Sequence, residues 1–334
     1  DKEDIRILDS IYKDFLRNGA ALSQTKKNEL RSIDKELSTL SPKFSNNVLN
    51  ATNEFELWLN KDDLKGLPKI VVDSAKLAAK EKGKTNKWLI TGQFPSFSPF
   101  LKFSEKRDLR KKVHFGITTK CNGGKHDNNE LCKKIAKLKH KRAKLLGYNN
   151  YADYALEKRM AEKQERIFDL LDNLYNSCIE PAKKDLKNIA DIAKKIDNID
   201  EIKSWDISYY TEKLKQIIFE FDENDLKPYF QSREVMKGAF KVAKKLYGLN
   251  FNLLNNVQTW HEDVRVFEVT EENGDHVGIL YEDLFPRETK RGGAWMNPLR
   301  SQGMYKNEIL RPHISLTCNL SKPTDSTPSL LTIS

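Results

Sequence analysis

Apolar residues recur every three or four positions through most of the first 250 residues, and after about Asn250 that period gives way to short alternating runs. A helical period sustained over such a length commits most of the chain to amphipathic helix. The stretch "DIRILDSIYKDFLRNG" carries Ile5, Leu8, Ile11, Tyr12 and Phe15 on one stripe and ends at Asn18-Gly19. Ser23 is placed to cap the next helix, whose stripe runs through Leu30, Ile33, Leu37, Leu40, Phe44 and Val48. Pro42 is expected to kink that helix or to mark a join between two. Next come a strand entering a loop ("NEFELWLNKDDLKGLP") and a short helix near residues 69 to 82. "WLITGQFPSFSPFLKF", with Pro95 and Pro99, is expected to be extended and irregular. Long helices should fill most of residues 103 to 250, broken at Gly123-Gly124, Gly147, Pro181, Ser204 and Pro228.

The later part reads differently. "DVRVFEVTEENGDHVGILYEDLF" holds two strand-like runs around Asn273-Gly274, which predicts a hairpin over residues 263 to 283. "RGGAWMNPL" and "RPHISLTCNLSKP" are short and extended in character. The expected fold is mainly α. A long, bundle-like helical body covers residues 1 to 250, and a small antiparallel sheet occupies residues 251 to 334.

Composition narrows the function classes. No apolar run approaches the roughly 18 residues that a membrane span requires. The cysteines at 121, 132, 178 and 318 are scattered and form no CxxC pair, which fits a reducing compartment; the expected location is cytoplasmic. The net charge of +10 raises a nucleic-acid reading, best supported by "CKKIAKLKHKRAKLLGY". There, however, Leu131, Ile135, Leu138 and Leu145 share a helical stripe, and the lysines fall mainly outside it. The segment is read as a solvated basic face, with no recognisable nucleic-acid module beside it.

One dipeptide invites a metal reading. His261-Glu262 could be half of a zinc-binding HExxH, which places two imidazoles on one helical face. Four residues after His261 stands Arg265, which is no zinc ligand, and the β-branched run that follows suits a strand. None of the six histidines has a second one four residues on with a glutamate between them in the required place.

The blocks "FLRNGAALS", "ELSTLSPKFSNNVLNAT", "RAKLLGYNNYADYALEKRMA", "NDLKPYF", "DVRVFEV", "GGAWM" and "NLSKP", kept in order, together resemble the thimet oligopeptidase family of zinc metallopeptidases. Within the family they look most like its peptidyl-dipeptidase (dipeptidyl carboxypeptidase) branch. The resemblance implies two helical halves flanking a deep channel, with a small sheet beside the zinc. It implies short peptides as substrates and release of C-terminal dipeptides. It also implies that HExxH follows a segment like "NLSKPTDSTPSLLTIS", after which this sequence stops at Ser334. The expectation is therefore the start of a catalytic region without its zinc motif. The chain alone should supply no catalytic residue and no metal ligand, need no zinc, and be inactive; the remaining catalytic part would be a partner if carried on a separate chain. Leu330, Leu331 and Ile333 are expected to be exposed, disordered or covered by a partner chain, and Ser334 is suited to cap a following helix.

The candidate substrate-binding residues are Gly292, Gly293, Ala294 and Trp295. An extended peptide can add to a sheet edge, and glycines let another backbone come close. The matching strand in the family lies beside the zinc. The residues alone leave a second reading open, with the glycines in a bulge and Trp295 in the core. Asp283 and Arg287 could pair, with no catalytic role. Two other functions stay in view: a peptide-binding module without catalysis and, behind it, a basic nucleic-acid-binding protein.

Overall fold

The structure, a computed structural model, describes residues 1–220, 222–325 and 327–331; Ile333 and Ser334, and the expectations placed on them, lie outside the described residues. In chain order the elements are α1 (Lys2–Arg17), α2 (Gln24–Glu54), β1 (Glu56–Leu59), α3 (Lys69–Glu81), β2 (Trp88–Thr91), α4 (Phe94–Phe103) and α5 (Arg107–Thr118). There follow α6 (Asn129–Leu145), α7 (Tyr151–Leu156), α8 (Gln164–Asp197), α9 (Ser204–Phe219), α10 (Glu223–Leu226) and α11 (Ser232–Tyr247). The remainder is β-structure: β3 (Asn250–Leu254), β4 (Arg265–Thr270), β5 (His276–Asp283), β6 (Trp295–Arg300), β7 (Gly303–Tyr305), β8 (Glu308–Leu310) and β9 (His313–Thr317). The fold is mainly α, as the periodicity requires.

The chain forms two compact units: residues 1–51 with 119–188, and residues 52–118 with 189–334. The change of character near residue 250 is thus a passage from helix to strand inside the second unit, not the boundary between units.

In the first unit, α1 begins with a capping box in which Asp1 accepts from the amides of Glu3 and Asp4. It ends at Asn18-Gly19, where Gly19 takes φ +88°. Its stripe meets no cover among the described residues: Ile5, Leu8, Tyr12 and Phe15 are each at least 60% exposed. Periodicity marks an apolar face but not what lies over it. Pro42 lies inside a continuous α2 and Pro181 inside a continuous α8, so neither divides its helix. The basic α6 stops before Gly147 (φ +94°). Three of its lysines find acids: Lys141 pairs with Glu29 at 2.8 Å, Lys134 pairs with Glu36, and Lys133 pairs with Glu130 at 2.7 Å. Arg142 donates to Asp34 at 2.7 Å.

The second unit holds a core of Leu59, Ala75, Ile90, Phe100, Leu109 and Val113. Its α4 corrects the irregular reading of "FPSFSPFLKF". Pro95 lies in the first turn, where an amide hydrogen has no helical acceptor to lose. Pro99 does cost a bond, but burying Phe100 and Phe103 outweighs it. Between α5 and α9, the fully buried Arg110 donates to Asp206 (3.0 Å) and to the Ser104 carbonyl (2.8 Å), and Arg107 holds the same carboxylate. Gly92 abuts the end of α2 so closely that a Cβ there would lie 2.3 Å from the Thr52 carbonyl oxygen. Gly92→Ala should therefore destabilise this unit by about 2 kcal/mol, because a backbone oxygen cannot swing aside. A urea midpoint equal to that of the parent chain would contradict the close fit.

A five-stranded sheet, ordered β3-β4-β5-β9-β6, completes the unit. All its joints are antiparallel except β5–β9, which is parallel. The helix α11 covers one part of it, with Phe240 stacked on Phe251 at 4.1 Å and edge-on to Phe267. Leu330 and Leu331 are both half-buried, neither fully open to solvent nor sealed in a core. Ser232 donates to the Ser329 carbonyl and Leu331 to the Phe230 carbonyl, each at 2.9 Å, and this binds the segment to the start of α11.

Candidate peptide-binding edge

The hairpin forms as the Asn-Gly pair predicts. β4 and β5 pair antiparallel, Gly274 adopts φ +92°, and the Glu271 amide donates to the Asp275 carbonyl at 2.9 Å. His261 and Glu262 precede β4 in a turn, where His261 Nδ1 accepts from the Asp263 amide at 3.1 Å. His276 is held by Glu268 at 2.9 Å, and His313 lies against the ring of Tyr281. Among the described residues, no three His, Cys, Asp or Glu side chains come together as a metal-binding group. The donors among the described residues do not fit a zinc site.

At the end of β5 sits a buried charge cluster. Asp283 accepts from both terminal nitrogens of Arg287 (2.8 and 2.9 Å), from Lys290 Nζ (2.8 Å) and from the Trp260 indole (3.0 Å). Burial alone would push its carboxyl up. The hydrogen bonds from Arg287, Lys290 and Trp260 outweigh burial and hold it at about 2. Lys290 also donates to the carbonyls of Asp283 and Phe285, both at 2.8 Å, and burial draws its ammonium below the ordinary lysine range. The Asp283–Arg287 pair was legible from the sequence; Lys290 and Trp260 were not. A cleft of about 500 Å³ adjoins this cluster, with Val71, Ala75, Leu89 and Ile90 along its apolar wall and Lys82 and Glu288 at its rim. Lys82 spans Glu288 (3.1 Å) and Glu56 (3.5 Å).

From Lys290 the chain runs through Gly292, Gly293 and Ala294 into β6. Gly293 takes φ +109°, a conformation that excludes most other residues. A Cβ added at Gly292 would meet nothing within 4 Å. The glycines form a bend ahead of the strand, and the register shift in β6 falls later, between Pro298 and Arg300. Trp295 is half-buried. β6 pairs with β9 on one side and with no strand on the other among the described residues. Pro298 fixes which groups face out. Lacking an amide hydrogen, proline is tolerated in a strand where that hydrogen would point away from the ladder. By alternation, the main-chain groups of Met296 and Ala294 face outward as well, while Trp295 and Asn297 face β9. The Met296 side chain is 60% exposed.

Residues 100–334 match the family description "Peptidase family M3". The chain is 34% identical over 335 residues to oligopeptidase A of Escherichia coli, covering 98% of this chain and 49% of that protein. It is 33% identical over 342 residues to a probable cytosolic oligopeptidase A of Arabidopsis thaliana, with 98% and 49% covered. To the dipeptidyl carboxypeptidase of Escherichia coli it is 30% identical over 334 residues, with 99% and 49% covered. The chain spans about half the length of these curated relatives.

Proposed function

The chain belongs to peptidase family M3, and on that premise we propose that it forms the peptide-holding part of a zinc-dependent oligopeptidase acting on short peptides. The observation that carries this reading is the open outer edge of β6, led by a glycine bend with room for a second backbone. An extended peptide laid antiparallel there would take hydrogen bonds from the main chain of Ala294 and Met296. Gly292 and Gly293 would admit its backbone, and Trp295 would stand beside it. Release of C-terminal dipeptides is the finer form of the proposal; the relatives carry both oligopeptidase and dipeptidyl carboxypeptidase names. No His, Cys, Asp and Glu group among the described residues fits a metal, so no zinc ligand is proposed within them; zinc and the groups that move protons belong to the proposal for a longer protein. The cytoplasm is the proposed location.

A peptide-binding module without catalysis would use the same edge. What separates it from the first reading is turnover in a longer protein, not affinity in this one. The edge itself is tested by Met296→Pro. This substitution removes an outward amide hydrogen but no ladder bond, so the fold should persist as it does around Pro298. Affinity of the 334-residue chain for a short unstructured peptide, measured calorimetrically, should fall about tenfold. Unchanged affinity in a folded variant would sink the edge reading.

A further inference from the structure

The glycine bend must hold one shape if it is to present its main chain to a peptide, yet glycine is the residue least able to hold a shape by itself. One side chain bridges it. Asn319 Nδ2 donates to the Arg291 carbonyl at 2.9 Å and to the Gly293 carbonyl at 2.7 Å, so both amide hydrogens are spent on the bend. The carbonyls can only accept, which fixes the orientation of the amide. Its Oδ1 is left buried, with no donor among the described residues. A buried acceptor without a donor is unfavourable, so this asparagine is not explained by its own stability.

Asn319 is itself firmly held. The Cys318 amide donates to the Asp283 carbonyl and the Leu320 amide to the Leu284 carbonyl, each at 2.8 Å. The residues on both sides of Asn319 are thus fastened to the end of β5, the strand end fixed by the Asp283–Lys290 cluster. Rigidity passes from that cluster, through Asn319, to the carbonyls of Arg291 and Gly293. The Gly292 and Ala294 amides alternate with those carbonyls.

We propose that Asn319 is a positioning residue for peptide binding: its amide locks the Arg291–Gly293 bend in the conformation that receives the main chain of an extended peptide. The proposal rests on the edge reading above and deepens it.

The test uses Asn319→Leu in the 334-residue chain. Leucine keeps the approximate volume, removes both donors and also removes the orphaned acceptor, so the urea midpoint should stay close to that of the parent. Amide exchange at residues 292 to 295 should quicken about tenfold, and affinity for the peptide should weaken about tenfold. A merely structural role would instead move the urea midpoint and leave local exchange unchanged. Asn319→Ala, which also loses both donors and buries no charge, serves if the leucine variant does not fold. Unchanged exchange at 292 to 295 in either variant overturns the proposal. Faster exchange with unchanged affinity overturns it too, and Met296→Pro then separates the causes. If Met296→Pro weakens binding, the edge stands and only the positioning role is lost; if neither variant weakens it, the edge reading has failed.

Discussion

Asp283→Ala is expected to destabilise the second unit by about 3–5 kcal/mol, the cost of leaving buried cations without their anion. Asp283 and Lys290 are each only 3% exposed at the side chain, and Arg287 is 17% exposed. Removing the carboxylate strands a buried ammonium with only the carbonyls of Asp283 and Phe285 for company, and it frees Arg287 and the Trp260 indole at the same time. The double variant Asp283→Leu with Lys290→Met removes both charges together and should recover a large part of the loss. Acid gives an independent reading of the same group. Its folded value, about 2, lies below the ordinary 3.8. The stabilisation is therefore complete above the ordinary value and is lost as pH falls through that window toward the folded one. Linkage makes this about 2 kcal/mol, visible as a fall in unfolding free energy between roughly pH 5 and pH 2. The Asp283→Ala chain should lack that component. Urea titrations of both chains across this range decide the matter, and parallel pH profiles would contradict the account of the cluster.

Loss of the cluster should also reach the bend. Cys318 donates to the Asp283 carbonyl, and Lys290 immediately precedes the Arg291–Gly293 segment. A chain destabilised at Asp283 is thus expected to lose order first at the proposed peptide edge.

Much of this was legible because it is local. Asn18-Gly19 and Gly147 end helices where the left-handed conformation demands glycine. Asn273-Gly274 turns a hairpin between β-branched runs. What escaped is nonlocal. The α4 segment carries two prolines, and only the burial of Phe100 and Phe103 against distant residues makes it a helix. The α1 stripe has helical spacing, but no spacing reveals whether a face is covered. Lys290 and Asn319 matter only because β9 returns parallel to β5 and places residues 318 to 320 against its end. No local pattern announces that crossover. Gly292 to Trp295 were singled out by type and by resemblance; the structure places them at the bend and the first residue of β6, which has no second strand partner among the described residues.

The central claim is that this chain holds the peptide while the metal and the hydrolytic groups lie outside it. The most direct measurement is zinc content together with peptide cleavage, made on the purified 334-residue chain and on a protein continued to the length of its relatives. The account predicts that the 334-residue chain binds short peptides, retains no stoichiometric zinc and cleaves nothing, and that both zinc and turnover arrive with the longer protein. Stoichiometric zinc with turnover in the 334-residue chain would contradict it.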